Sequence, residues 1–176
     1  MIITFNYGYY FNKEFFDTCF KGVFPSDRLP YRADLPLHII VNTDPSYKPG
    51  QHWVCVSIDK LGRGYYFDSF GLPPIVNDIE KFLNQRAVKG WKFNKLKIQN
   101  ALSSTCGNYC VLYIIFKCVG ISQTTFLKQF VRNSKQNDIK MLKLFKKFTL
   151  VCKSFKSNCR SNKSQVSKRS HGKKLS

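Results

Sequence analysis

Between residues 37 and 68 the apolar positions come in short runs, rich in β-branched and aromatic residues. LHIIVN covers Leu37–Asn42, HWVCVSI covers residues 52–58 and GYYFD covers residues 64–68. Runs of this length between turn residues predict strands. Here the punctuation is Asp44-Pro45, Pro49-Gly50 and the turn DKLGRG. The second and third runs make a β-hairpin, with His52 at its open end and Asp68 on the other arm. Upstream, residues 1–36 are aromatic and broken by turns. A short helix after Asn12 is expected to bury Phe15, Phe16 and Cys19 before Pro25, Pro30 and Pro36 interrupt the chain.

Past residue 70 the spacing changes to that of helices. Gly71, Pro73 and Pro74 stop the strand, and residues 75–84 read as a helix capped near Pro74. Residues 91–98 read as a strand. Residues 106–119 are apolar nearly all round, which predicts a central, buried helix ended by Gly120. Ser122 caps the next helix, with Phe126, Leu127, Phe130 and Val131 on one face. A last amphipathic helix, roughly residues 138–152, turns Ile139, Leu142, Phe145 and Phe148 inward and its lysines outward. From residue 153 the pattern stops: eight Lys or Arg occur among Ser and Asn with no acid, which predicts a disordered basic tail over 153–176.

Composition adds two constraints. A chain of 176 residues with 43% hydrophobic and 15% aromatic positions has ample material for one core, here assigned to residues 1–152. The charge of +19, from 29 basic against 10 acidic residues, has no explanation in the fold. It favours a polyanionic partner, nucleic acid first and an anionic membrane surface second. No apolar stretch approaches the ~20 residues that span a bilayer, and the N-terminus makes a poor signal peptide. Seven cysteines at irregular spacing form no paired framework. A reduced intracellular compartment with free thiols is the expectation, and Cys19, Cys55, Cys110 and Cys118 read as core residues.

The candidate chemistry lies in QNALSSTCGNYC, residues 99–110. Cys106 stands where an irregular Ser/Thr-rich approach becomes the buried helix. There the free N–H groups and the positive end of the helix dipole favour thiolate over thiol. Gly107 lets other groups come close to the sulfur, and Gln99 brings an amide donor. A cysteine nucleophile needs a base and a group that orients the base. His52 and Asp68 meet that need across the hairpin, the carboxylate stabilising an imidazolium beside the thiolate. Gln99 and the Cys106 N–H would then hold the oxyanion. Taken singly, each residue has an ordinary structural reading: a core cysteine, a strand-capping histidine, a turn-starting aspartate, an exposed glutamine. The combination points to catalysis. His52 with Cys55, and Cys106 with Cys110, match no structural zinc spacing, so no metal is expected.

IVNTDPSYKPGQHWV, YYFDSFG and Gln99 with STCGNYC together resemble the adenovirus-type cysteine endoproteases (adenain), in the flavour encoded by large self-synthesising DNA transposons and related viruses. The matching runs cover about residues 22–120. The order His, acid, Gln, Cys is shared with the SUMO-specific proteases, a sister branch. The resemblance implies an α+β, papain-like fold, with a mixed sheet packed against a central buried helix that begins at the nucleophile. It makes His52 the general base, Asp68 the orienting acid, Gln99 the oxyanion donor and Cys106 the nucleophile, with Trp53 and Gly107 packing the site. Adenovirus enzymes have Glu at the Asp68 position and a hairpin one residue longer. Where they anchor an activating peptide by disulfide, this chain has Val88, so such a peptide would not attach covalently by that route. The implied function is a monomeric endopeptidase that processes capsid or core precursors of a virus or virus-like element, in the host nucleus and in the particle. The alternatives are a SUMO- or ubiquitin-type isopeptidase and an inactive nucleic-acid-binding packaging protein. The family's use of DNA as an activating polyanion agrees with the charge. The tail residues Lys153, Lys156, Arg160, Lys163, Lys168, Arg169, Lys173 and Lys174 fit contacts to phosphate without sequence readout, and equally a nuclear-entry signal.

Overall fold

The structure, a computed structural model, describes residues 2–4, 10–12 and 19–147. The helix expected after Asn12, Phe148 and the basic tail lie outside the described residues. The chain divides into two compact units, Met1–Ile139 and Lys140–Ser176. In the first unit β1 (Ile2–Thr4) and β2 (Tyr10–Asn12) pair antiparallel. The main sheet holds five strands in chain order: β3 (Phe20–Pro25), β4 (Leu37–Asn42), β5 (Trp53–Ile58), β6 (Gly64–Phe67) and β7 (Trp91–Phe93). The two outer pairings are parallel and the two inner ones antiparallel, so the sheet is mixed.

All of β4 and nearly all of β5 are buried, which explains why their sequences are continuous apolar runs. Alternate side chains serve opposite faces. Ile39, Val41, Val54 and Val56 join Ile79, Phe82 and Leu83 of α1 (Asn77–Arg86) in one cluster. Cys55 and Phe67 instead meet α2 (Cys106–Cys118): the Cys55 thiol bonds the Cys110 carbonyl, and Phe67 stacks on Tyr113 at 4.4 Å. Helices therefore cover both faces, and each fully buried aliphatic side chain contributes roughly 1.5–3 kcal/mol. The sheet is the rigid platform on which the catalytic candidates stand. A short α3 (Gln123–Leu127) follows, capped by the Ser122 hydroxyl, which accepts from the Thr125 N–H. A further helix, α4, runs over 134–147.

Several expectations are corrected. α1 starts at Asn77 because Val76 is still extended, and β7 stops at Phe93 instead of continuing to residue 98. The Asn94 side chain turns the chain there, donating to the carbonyls of Asp68 and Leu96 and accepting from the Asp68 N–H. Val131, Ile139 and Leu142 are exposed, at 55%, 56% and 46%, and not inward. The inward positions of α4 near its start are the polar Asn137 and Asp138, which hydrogen-bond the core loops and so set the helix's rotation. The thiols are not all free: Cys19 and Cys118 are buried as expected, but joined in a disulfide. Their separation of 99 residues hid the pair, since it forms where the end of α2 meets the start of β3. Among the described residues Cys55, Cys106 and Cys110 remain free and buried. No described helix is long and apolar enough to cross a membrane.

Candidate active site

The β5–β6 turn is locked by one side chain. Asp59 accepts from the N–H groups of Leu61 and Arg63 at 2.9 and 3.0 Å and pairs with the Arg63 guanidinium at 2.7 Å. This fixes the register, which sets Ile58 against Gly64 and Cys55 against Phe67. Continued past the strand ends, the same register brings His52 opposite Phe70, and the two rings stack at 5.0 Å. Asp68 is then the diagonal neighbour of His52, within reach of a carboxylate. Its Oδ1 accepts from His52 Nε2 at 2.9 Å and from the Phe70 N–H at 2.8 Å. Asp68 is 2% exposed, with its backbone clamped on both sides by Asn94.

Cys106 is the first residue of α2. Thr105 is the N-cap, yet its side chain makes no capping bond. Its hydroxyl is drawn away by Ser103 and by Asp138, at 3.0 and 3.3 Å. The first-turn N–H groups therefore keep their capacity for an anion. The His52 ring and the backbone N–H groups of Trp53 and Gly107 are the polar groups that act on the Cys106 thiol. With Nε2 committed to Asp68, Nδ1 is the ring nitrogen left for the sulfur. Burial works against charge on His52, but the bonds to Asp68 and Cys106 outweigh it and raise the ring to about 9. Burial also opposes the Cys106 thiolate, and the bonds from His52, Trp53 and Gly107 more than offset it, so the thiol is lowered. Both shifts favour a thiolate–imidazolium pair. Cys110, one turn on, is pushed well above its ordinary value by complete burial. Its thiol is inert by comparison.

Gln99 is fastened to Ser69, the neighbour of Asp68, by a stitched pair of loops. The Ser69 carbonyl accepts from the N–H groups of Ile98 and Gln99, at 2.9 and 3.0 Å. Gly71, at φ +73°, passes so close to the Leu96–Lys97 backbone that a Cβ would sit 2.8 Å from the Leu96 carbonyl carbon. Any side chain there would part the loops. Gln99 itself is 1% exposed. Its Oε1 accepts from the Ser69 hydroxyl at 2.6 Å, and its amide donates to the Ser103 carbonyl at 2.7 Å. One amide hydrogen remains for a ligand. The Trp53 indole lies over Gly107, where a Cβ would meet it at an ordinary 3.6 Å. Gly107 is thus not demanded by that contact. Val88 is 75% exposed. The tail lysines and arginines lie outside the described residues.

Some supports escaped the sequence reading. Ser69 orients Gln99, Phe70 stacks on His52, and Asn94 fixes Asp68. Asp138 accepts from the Tyr109 hydroxyl at 2.9 Å as well as from Thr105, tying α4 to the Cys106 helix. The Asp68-to-Phe70 bond is an Asx turn, which the run DSFG does signal. Asn94 and Asp138 act across the fold and leave no local mark. Beside Trp53 a cleft of about 270 Å³ opens between β3 and the loop after β4, lined by Val23, Phe24, Pro25, Asn42 and Lys48 among others.

No family model matches the sequence. Over 99 residues the chain is 29% identical to a cysteine protease of African swine fever virus, Tick/Malawi isolate, a match covering 50% of this chain and 36% of that protein. The chain is similar to a viral cysteine protease. Crystal structures of the African swine fever virus protease also align with it. The selenomethionine form is 24% identical at a TM-score of 0.43, covering 60% of this chain and 42% of that one. A second is 23% identical at a TM-score of 0.41, covering 60% and 41%. The chain thus spans well under half the length of the relatives it matches.

Proposed function

We propose that this protein is a cysteine endopeptidase of papain-like fold and adenovirus type, cutting capsid or core precursor proteins of a virus or virus-like element. The observation that carries the reading is the His52 ring bonded to Asp68 at 2.9 Å and acting on the Cys106 thiol, which stands at the N-terminus of α2. The relationship to a viral cysteine protease supports the same reaction class.

The Cys106 thiolate attacks the scissile carbonyl carbon, and the carbonyl electron pair moves onto oxygen. That oxyanion is held by the free Gln99 amide hydrogen and the Cys106 N–H. The tetrahedral intermediate collapses as His52 gives its proton to the leaving amine, leaving a thioester on Cys106. Water then attacks the thioester carbonyl while neutral His52 takes its proton. Loss of the sulfur restores the thiolate–imidazolium pair and releases the acid. Asp68 keeps the ring in one tautomer and stabilises its charged form. The cleft beside Trp53, lined by apolar Val23, Phe24 and Pro25 together with Asn42, Asp44 and Lys48, would take a substrate side chain next to the reacting bond. Small residues, glycine above all, are the expected neighbours of that bond. The charge of +19 supports DNA as an associated polyanion held mainly by the 153–176 tail.

The test is hydrolysis of precursor-type peptides with and without duplex DNA, by the native chain, by Cys106→Ala and by a chain ending at residue 152. Cys106→Ala should lose at least about ten-thousandfold in rate. The shortened chain should bind DNA more weakly and with a flatter salt dependence. Cleavage surviving in Cys106→Ala would end the proposal. Cleavage confined to ubiquitin-like fusions would instead favour an isopeptidase built on the same four residues.

A further inference from the structure

The far end of α2 carries a second cysteine–histidine cluster, which the proposed reaction does not use. Cys118 is the last residue of α2, Cys19 immediately precedes β3, and His38 lies on β4 paired with Phe20. The two sulfurs and a His38 ring nitrogen all lie within 4.8 Å of one another. The three residues are 1%, 5% and 2% exposed, in chain order. Nδ1 of His38 has no hydrogen-bond partner among the described residues. A buried polar atom left without a partner calls for an explanation, and a capacity to bind a cation is one.

We propose that reduction of the Cys19–Cys118 disulfide opens a Zn²⁺ site made of Cys19, His38 and Cys118. A dithiol reductant supplies two electrons and two protons to the sulfur–sulfur bond and becomes a disulfide itself, leaving two thiols. Zn²⁺ then displaces both thiol protons to solvent, while the neutral imidazole gives a lone pair without losing a proton. Two thiolates cancel the cation's charge, so the complex is neutral, which suits buried surroundings. Thiolates around tetrahedral zinc stand about 3.8 Å apart. The Cα atoms, 6.1 Å apart, allow that spread by side-chain rotation. Three protein donors leave the fourth position to water. The same two sulfurs thus close either on each other or on the cation. In both states they fasten the end of α2 to the start of β3. The proposal stands on these three residues alone and does not depend on the protease reading.

The test uses the full chain carrying Cys106→Ala, so that the His52 end cannot take metal. The protein is reduced with a phosphine and titrated with Zn²⁺ against a chromophoric chelator, then with Co²⁺ as a spectroscopic substitute. One equivalent of Zn²⁺ should bind to the reduced protein and none at this site to the oxidised protein. The Co²⁺ form should show a thiolate charge-transfer band. Cys118→Ser in the same background should weaken binding at least a hundredfold, and His38→Gln at least tenfold. Equal binding by oxidised and reduced protein overturns the proposal. So does an unchanged affinity in folded Cys118→Ser, which would move the metal to cysteines such as Cys152 or Cys159. If Cys118→Ser does not fold, the oxidised–reduced comparison decides by itself, because it needs no substitution at the site.

Discussion

The two ends of α2 are built from the same residue types and behave oppositely. At its start Cys106 faces His52, and the third partner is the Asp68 carboxylate. At its end Cys118 faces His38, and the third partner is another sulfur, Cys19. Burial acts against the charged ring in both places. At His52 the hydrogen bonds to Asp68 and Cys106 overcome it and hold the ring up at about 9. At His38 Nδ1 has no such partner among the described residues, and burial, with Lys117 adding to it, pulls the ring down to about 3. The third group decides the chemistry: a carboxylate makes a charged pair fit for attack, and a second thiol makes a neutral cluster fit for a bridge or a soft cation. The helix contributes too. Its free N–H groups lie at the Cys106 end, whereas the Val119 N–H at the other end is spent on the carbonyls of Ile115 and Lys117.

Removing the carboxylate should bring the first end closest to the second. Asp68→Asn keeps the shape but loses the charge, and kcat/KM should drop by about a thousandfold or more. The pH profile carries the sign. His52 is raised by Asp68, so the alkaline limb of kcat/KM, where the imidazolium loses its proton, should lie near 9 in the native protein and at lower pH in Asp68→Asn. An alkaline limb that does not move would remove Asp68 from the pair. Gln99→Ala should come next, at about a hundredfold in kcat with little change in KM; an unaltered kcat would take away the oxyanion role. Phe70→Leu should cost least, a few-fold in kcat/KM, because it removes only the ring stacked on His52.

How much of this could be read in the sequence follows from the range of each interaction. β4 matched its run residue for residue, and α2 began at the expected cysteine, because both are buried elements whose pattern is continuous. The hairpin was legible because its turn chemistry is local, and a hairpin with a known turn implies its diagonal neighbours. What escaped was everything made by distant segments meeting. Asn94 bends the chain toward Asp68 from 26 positions away, and Asp138 holds Tyr109 from 29 positions away. Polar groups such as Asn137 and Asp138 mimic a solvated face in the sequence, which is why the pattern points to Ile139 and Leu142 as the inward side of α4 although both are exposed. The Cys19–Cys118 bridge belongs to the same class, since nothing in either neighbourhood announces the other.

The most direct measurement is the pH dependence of alkylation by iodoacetamide, cysteine by cysteine, read by peptide mass spectrometry on the native chain. Cys106 should be modified rapidly well below pH 8.5, the ordinary range of a free thiol, while buried Cys110 stays unmodified. Asp68→Asn should move the Cys106 profile toward the ordinary thiol. Modification of Cys106 that rises only near pH 8.5, or faster labelling of another cysteine, would contradict the thiolate–imidazolium pair on which the account rests.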